Sequence, residues 1–231
     1  MSQVASMPRV IDYWMGGEKH TPADVTEGDR LKGEHPDVPA LFQAQRAFQR
    51  KAVAQMWEAG IKQFMVFHAG LPTANHVHQQ LTEAKVYYTD DNFDVVQPGA
   101  GLLAGVRRRV RYQTLDATDP ENLEDLEFNP VIKEDQPIGI IVIGAIERLD
   151  DTTAGTTLTN LFDWAQPGSQ IAISHVTDGG AHLKGFFDGY DAFSPRSAEA
   201  VASLMGSWDG SGLGKLGDGA PEWLIGTTAA K

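Results

Sequence analysis

The sequence predicts an α/β fold: a doubly wound, mostly parallel sheet with helices on both faces, preceded by an N-terminal helical arm. Three observations predict it. Five strand-length segments recur between helix-length ones, and two of them, Ile61–Phe67 and Ile138–Ala145, are apolar runs that suit strands buried on both faces. Residues 61–94 read as strand, glycine-bearing turn, helix and second strand, which makes a right-handed βαβ unit. Acids stand just past the second and third strands, on the side where parallel sheets bind ligands.

A chain of 231 residues suits one α/β domain with a modest appendage, and a core of that size needs no covalent staple. The expected division is an arm or lid over 1–35, the α/β domain over 36–206 and a glycine-rich C-terminal segment over 207–231. There is no cysteine, which excludes disulfides, thiolate metal sites and a cysteine nucleophile together. The formal charge of −12 argues against a nucleic-acid partner, because phosphate contacts need a basic surface. The basic cluster Arg107–Arg109 with Arg111 is expected to be a solvated edge. The opening residues carry no basic region followed by an apolar stretch, and the longest apolar run, Ile138–Ile146, is too short to span a bilayer. The expectation is a cytoplasmic protein with no membrane partner.

In the arm, Tyr13 and Trp14 precede the pair Gly16-Gly17 amid polar residues, the mark of a loop. Thr21-Pro22-Ala23-Asp24 follows as a helix cap with proline at the first helical position. Aromatics beside a glycine pair suit either a lid over a pocket or an arm packed on the domain. Pro36 opens a long helix ending at Gly60, with Leu41, Phe48, Ala52 and Met56 on one core-facing stripe. Gln45, Arg46, Gln49 and Arg50 fall on other faces, and spacing leaves open whether Arg46 or Arg50 points toward a ligand.

Ile61–Phe67 is the first strand, bounded by Gly60 and Gly70. Thr73 reads as the cap of a helix running to about Leu81, and Lys85–Thr89 as the second strand. In such a unit the turn's N–H groups and the helix N-terminus face a ligand beyond the strand ends. Asp90 and Asp91 follow Gly70 by about 20 residues, the spacing at which an acid accepts hydrogen bonds from both ribose hydroxyls of a nucleoside. A plain structural turn is the alternative. Residues 94–104 read as weakly helical because Pro98 and Gly99 interrupt them. Val110–Thr114 is the third strand, and Asp116 beyond it either accepts from the exocyclic amine of an adenine or caps a turn. Asp119-Pro120 opens a short helix, and 121–137 is an acidic connection.

Ile138–Ala145, apolar on both faces, is the candidate central strand, with Glu147 just past its end. Thr153–Ala165 makes a helix, Gln170–Val176 the fifth strand with His175 near its carboxyl end, and Pro195–Met205 another helix. The tail from Gly206 lacks a convincing strand pair and is a candidate sheet edge. Left bare, an edge pairs with a second copy, so a homodimer is among the expected states. His76-x-His78 is rejected as a metal pair, since residues two apart on a helix diverge by about 200° and no third ligand is at hand. No metal is expected. No Gly-x-Ser-x-Gly elbow or lysine-bearing phosphate loop occurs, which removes the hydrolase and nucleoside-triphosphatase readings.

Six segments together carry a family resemblance. They are 8–30 (PRVIDYWMGGEKHTPADVTEGDR), 44–53 (AQRAFQRKAV), 63–78 (QFMVFHAGLPTANHVH), 115–120 (LDATDP), 166–177 (QPGSQIAISHVT) and 195–206 (PRSAEAVASLMG). In this order, over most of the chain, they resemble a bacterial subfamily of class I S-adenosylmethionine-dependent methyltransferases. The resemblance implies the Rossmann-like fold of that class, S-adenosyl-L-methionine as cofactor and a small-molecule substrate. It implies that the turn Phe67, His68, Ala69 and Gly70 approaches the methionyl part, that Asp90 with Asp91 holds the ribose, and that Asp116 with Ala117 holds the adenine. Gly144 joins the implied cofactor residues, and Tyr13, Gly17 and Arg46 resemble elements that close over the pocket.

Several positions depart from the family pattern. The family usually has Asp-x-Gly-x-Gly at the first strand, where this chain has Val66-Phe67-His68-Ala69-Gly70. Val66 replaces the acid and His68 the first glycine. Glycine there permits close backbone approach, whereas an imidazole projects into the cofactor's space. Glu147 stands where the subfamily generally carries histidine, and the C-terminal Trp-Arg-Pro sequence is reduced to PEWLIG.

Methyl transfer from a sulfonium needs an in-line nucleophile, positioning and exclusion of water, with a base only where the acceptor must lose a proton. Glu147 and His68 are the catalytic candidates, ahead of His175. The departures keep a second reading open. It is a methyltransferase-fold protein that has lost cofactor binding and serves as a binding or interaction module, or as a repurposed enzyme.

Overall fold

The computed structural model describes residues 4–116, 118–119, 123, 131–188, 192–210 and 212–231. The arm folds as two helices, α1 (Met7–Trp14) and α2 (Pro22–Glu34). Asp24 joins them. Its buried carboxylate accepts from the Ser6 N–H at 2.9 Å, from Arg9 Nε at 2.8 Å and from both the N–H and the hydroxyl of Thr21 at 2.7 Å. Burial opposes that charge, but these donors outweigh it and hold the carboxyl down to about 2.

The long helix α3 (Val38–Glu58) turns Leu41, Ala52 and Met56 of the predicted stripe into the core, with Phe48 of that stripe half-buried and Val53 beside it fully buried. Gln45 and Gln49, off that stripe, are buried as well. The arm is the reason. The Gln43 amide donates to the Trp14 carbonyl at 2.8 Å, so α1 roofs α3 and a second face of that helix looks inward.

The strands β1 (Gln63–Phe67), β2 (Lys85–Asp90), β3 (Val110–Thr114), β4 (Gly139–Val142) and β5 (Gln170–Val176) are all parallel, in the order 3-2-1-4-5. Strand order reverses between β1 and β4, so their carboxyl ends form the switch-point crevice where such sheets bind ligands. Alternation along the strands loads both faces. Met65, Phe67, Ile140 and Ile171 pack on Leu158 and Leu161, while Phe64, Val66, Val86 and Ile141 pack on Ala52, Val53 and Met56.

Three shorter expectations are corrected. Helix α4 spans only Val77–Gln80 and is capped by His76, not Thr73. Ala74 and Asn75 adopt positive φ, which no helix tolerates. Helix α5 (Phe93–Leu102) runs straight through Pro98, with Asn92 as its cap. Gly99 is what the packing demands, because a Cβ there would meet the Tyr112 ring at 2.4 Å. Arg109 is not a solvated edge: its guanidinium donates to the carbonyls of His78, Leu81 and Ala84.

Beyond β4, Gly144 turns the chain at φ +69, ending the expected strand early and leading into a 3-10 turn over Ile146–Arg148. Helix α6 (Asp151–Trp164), the short α7 (Lys184–Phe187) and α8 (Ala198–Leu204) follow. The tail also corrects its expectation. Strands β6 (Asp209–Gly210), β7 (Gly214–Lys215) and β8 (Leu224–Ala230) form there, and β8 runs antiparallel along all of β5. A Cβ at Gly226 would lie 2.7 Å from the Ile173 carbonyl oxygen, so this glycine permits the pairing. The β5 edge is therefore not left bare for a second copy. The helix predicted at Asp119-Pro120 and most of the acidic connection lie outside the described residues. Among the described residues, no helix is long and apolar enough to cross a membrane.

Candidate functional site

A cavity of about 750 Å³ opens at the carboxyl ends of β1, β2 and β4, between α1, α3 and α5. Phe67 to Leu71 form one wall, Asp90 to Asn92 another, and Ile143 and Gly144 a third. The volume falls in the range of about 300–1,000 Å³ typical of cofactor and small-molecule sites.

The turn after β1 is held from behind. The Ala69 N–H donates to the Thr89 carbonyl and the Gly70 N–H to Asp90 Oδ2, both at 3.0 Å. Tyr112 donates its hydroxyl to the Gly70 carbonyl at 2.6 Å. His76 Nε2 lies 3.1 Å from the Ala69 carbonyl, while its Nδ1 accepts the Val77 N–H at 3.3 Å. Those partners fix a neutral tautomer with the proton on Nε2, and burial holds His76 well below the usual histidine pKa. Its ring meets Tyr88 edge-on at 4.8 Å. His76 and His78 therefore serve the turn and Tyr88, and no group of metal-binding side chains occurs among the described residues.

The same stretch is strained. His68, Ala74 and Asn75 are the non-glycine residues with positive φ among those described, and each such conformation costs roughly 1–2 kcal/mol. His68 takes φ +47 where glycine suits best. Its Nδ1 leans to within 3.8 Å of Asp91 Oδ1, so the imidazole covers part of the cavity wall.

Asp90 is buried at the end of β2. Its Oδ2 takes the Gly70 N–H and its Oδ1 the Asn92 N–H at 3.1 Å. Burial raises its pKa despite these bonds. Each carboxylate oxygen has a second acceptor site, so the residue that fixes the turn still has capacity for hydroxyl donors.

Toward β4 the cavity meets the buried amides of Gln45 and Gln49. Gln45 Nε2 donates to Glu147 Oε1 at 3.3 Å, and Gln49 Nε2, itself enclosed, has no partner among the described residues. Glu147 lies behind Gln45 rather than in the lining, with its Oε2 3.8 Å from His175 Nδ1. Burial raises Glu147 to about 7 and lowers His175 to about 3.

The structure thus brings Phe67, His68, Ala69, Gly70, Asp90, Asp91, Gly144 and Arg46 around one cavity. Arg46 donates to the Thr73 carbonyl at 3.2 Å, and burial lowers its pKa to about 10. Four other predicted residues stand apart from the described lining. Tyr13 donates to Asp29 on the outside of the arm, and Glu147 is enclosed. Gly17 packs on Asp12, where a Cβ would lie 2.1 Å from Oδ1. Asp116 is exposed and accepts from the N–H and hydroxyl of Thr118, as a turn cap does. Ala117 lies outside the described residues. Sequence reading missed Asp12, Gln45 and Gln49 in the lining, and His76 and Tyr112 behind it. The i, i+4 spacing of Gln45 and Gln49 on one helix was the available signal.

A 3-2-1-4-5 parallel sheet with an antiparallel strand against β5, and a first turn facing a second-strand acid across one cavity, defines the class I methyltransferase fold. The family profile described as S-adenosyl methyltransferase matches residues 1–207, and the chain belongs to that family. It is similar to a DUF574-family protein from Streptomyces avermitilis, with TM-score 0.82 and 25% identity over 99% of this chain and 98% of the other. A protein from Thermobifida fusca superposes with TM-score 0.80 at 21% identity, over 99% of this chain and 95% of its own. The N-methyltransferase NodS from Bradyrhizobium japonicum, solved with S-adenosyl-L-homocysteine, shares the fold at TM-score 0.54 and 12% identity, over 80% and 87% of the chains. A search of curated proteins finds no match.

Proposed function

We propose that this protein binds S-adenosyl-L-methionine in the cavity and transfers its methyl group to a small molecule, acting in the cytoplasm. The observation that carries the reading is Asp90: a buried acid that closes the β1 turn through Gly70 and still has lone pairs to spare. A cavity of about 750 Å³ has room for an adenosyl cofactor and a second small ligand.

The chain's own residues have separable roles. Asp90, with Asp91 beside it, would hold the ribose hydroxyls, and the Phe67–Gly70 turn would hold the methionyl part. Arg46, a half-buried cation beside the turn, suits a carboxylate. When bound, the cofactor would supply an electrophilic methyl carried on a sulfonium. The arm excludes water above the site, which is the main service such a transfer needs. His68 stands in the lining, where it can take a proton from an acceptor. Glu147 reaches the cavity only through Gln45.

Isothermal titration calorimetry with S-adenosylmethionine and S-adenosylhomocysteine tests this reading. Micromolar binding by the wild type, lost in Asp90→Ala, supports it. Silence up to millimolar concentrations would move the assignment to the cofactor-free alternative.

A further inference from the structure

We propose that Glu147 is a positioning residue that acts on the bound cofactor through Gln45. It fixes the Gln45 amide with its oxygen turned to the cavity, as the acceptor for the α-ammonium of the cofactor's aminoacyl end. The inference rests on the cofactor reading above and deepens it by assigning the group that reads that end of the ligand.

The Gln45 amide has one orientation that fits. Its Nε2 donates to Glu147 Oε1 at 3.3 Å, and the reversed amide would set oxygen against that carboxylate. Among the described residues nothing donates to Gln45 Oε1, and this oxygen keeps open surface whereas Gln49 Nε2 is sealed. Gln45 lines the cavity although it is only 5% exposed. Its amide lies over Gly144, another lining residue, where a Cβ would come within 3.1 Å of both Nε2 and Oε1. The oxygen is therefore a buried acceptor with one open side, and Glu147 holds it from behind.

Sheet order brings the aminoacyl end to this acceptor. Asp90 ends β2, the turn follows β1, and Gly144 lies just past β4. Neighbouring strands are about 4.8 Å apart, so Asp90 and Gly144 are separated by roughly 10 Å. A ribose held at Asp90 would send the chain along the β1 turn toward Gly144 and Gln45.

The wall carries charge of both signs, as an aminoacyl end does. Arg46, next to Gln45 on α3, spends one N–H on the Thr73 carbonyl and has others for a carboxylate. Asp12 supplies the negative charge. Its Oδ2 takes the Lys19 N–H at 2.7 Å, and its Oδ1 is sealed beneath Gly17, so it touches no ligand. Its charge still reaches Arg46, and in a poorly solvated wall it favours a cation nearby. Gln45 Oε1 is the neighbouring atom that can make the contact.

The hold on the amide depends on the glutamate's charge. Burial raises Glu147 to about 7. His175 on β5, 3.8 Å from Oε2, is kept neutral by its own burial, and Arg148 and Arg196 are the cations whose charge reaches the carboxylate. Above about 7 the carboxylate holds Nε2. Below it the acid hydroxyl would donate to Gln45 Oε1 and turn the amide N–H toward the ammonium, which repels it.

The experiment is calorimetry on the full chain with S-adenosylhomocysteine and with methylthioadenosine, which lacks the aminoacyl end. Gln45→Leu should weaken S-adenosylhomocysteine by roughly tenfold or more and leave methylthioadenosine unchanged. The wild type should prefer S-adenosylhomocysteine more strongly at pH 8 than at pH 6, an interval in which neither ligand titrates. Glu147→Gln, isosteric and so informative even if Gln45→Leu fails to fold, should reduce that preference at pH 8 and flatten its pH dependence. His20 beside Asp12 and His68 in the lining are the other imidazoles near this wall, and a pH dependence that survives in Glu147→Gln assigns it to them and overturns the positioning role. Both ligands weakening together in Gln45→Leu, or S-adenosylhomocysteine binding indifferent to it, overturns the acceptor. Silence of the wild type toward both ligands instead overturns the cofactor reading, and is seen before any variant is made.

Discussion

His76 donates its Nε2–H to the Ala69 carbonyl at 3.1 Å, and Tyr112 donates its hydroxyl to the next carbonyl, Gly70, at 2.6 Å. The turn that would meet the cofactor is thus gripped from the side away from the cavity. Its shape is set by buried side chains rather than by the glycines that usually define such a turn. His76→Phe should cost about 1–3 kcal/mol through the orphaned Ala69 carbonyl and weaken S-adenosylhomocysteine binding. Tyr112→Phe keeps the ring and should cost less. Thermal melts and calorimetry on both variants check this; unchanged affinity in His76→Phe would mean that the turn keeps its shape without the grip.

His68 carries φ +47 where glycine would be unstrained. His68→Gly relieves roughly 1 kcal/mol of backbone strain and gives up a similar amount in chain entropy, so stability should hold within about 1 kcal/mol. Affinity for S-adenosylhomocysteine should rise by roughly threefold or more, as the imidazole leaves the cavity wall. A fall in affinity would identify His68 as a ligand contact.

Gly17→Ala tests the arm. The new methyl would sit 2.1 Å from Asp12 Oδ1 and must displace either Asp12 or the loop. We expect a loss of about 1–3 kcal/mol, together with faster proteolysis within residues 1–35. An intact arm by limited proteolysis would contradict the packing of Asp12 beneath this loop.

Glu147 ties stability to pH. Its ordinary pKa near 4.5 rises to about 7 in the fold, chiefly through burial. The folded protein then holds a proton that the unfolded chain releases, so the stabilising contribution is full below about 4.5 and is lost as pH rises through 7. A gap of that size corresponds to about 3 kcal/mol. His175 runs the other way: lowered by burial to about 3, its contribution is present above the usual histidine value and lost as pH falls toward 3. Comparing the wild type with Glu147→Gln isolates the glutamate. The variant should melt higher than the wild type at pH 8 and level with it at pH 5; equal shifts at both values would contradict the raised pKa.

Strands β1 and β4 were legible because each is buried on both faces, and a two-faced strand writes an apolar run. Asp90 was legible because strand length and turn length fix its distance from Gly70. Helix α4 was not. Thr73 reads as a good cap, but Ala74 and Asn75 take left-handed conformations that only the surrounding packing enforces. Strand β8 was hidden by its composition, since Gly226, Thr227 and Ala229 give little hydrophobic signal while Gly226 is needed for contact with β5. Gln45 and Gln49 fall off the core stripe of α3, and only their shared i, i+4 face hints at the second buried side that α1 covers.

A crystal structure of the full chain grown with S-adenosylhomocysteine tests the central claim most directly. The account predicts ligand density between the His68 turn and Asp90, with both ribose hydroxyls within hydrogen-bond distance of the Asp90 carboxylate. A cavity without ligand density at millimolar concentration, or a ligand whose ribose lies away from Asp90, would contradict it.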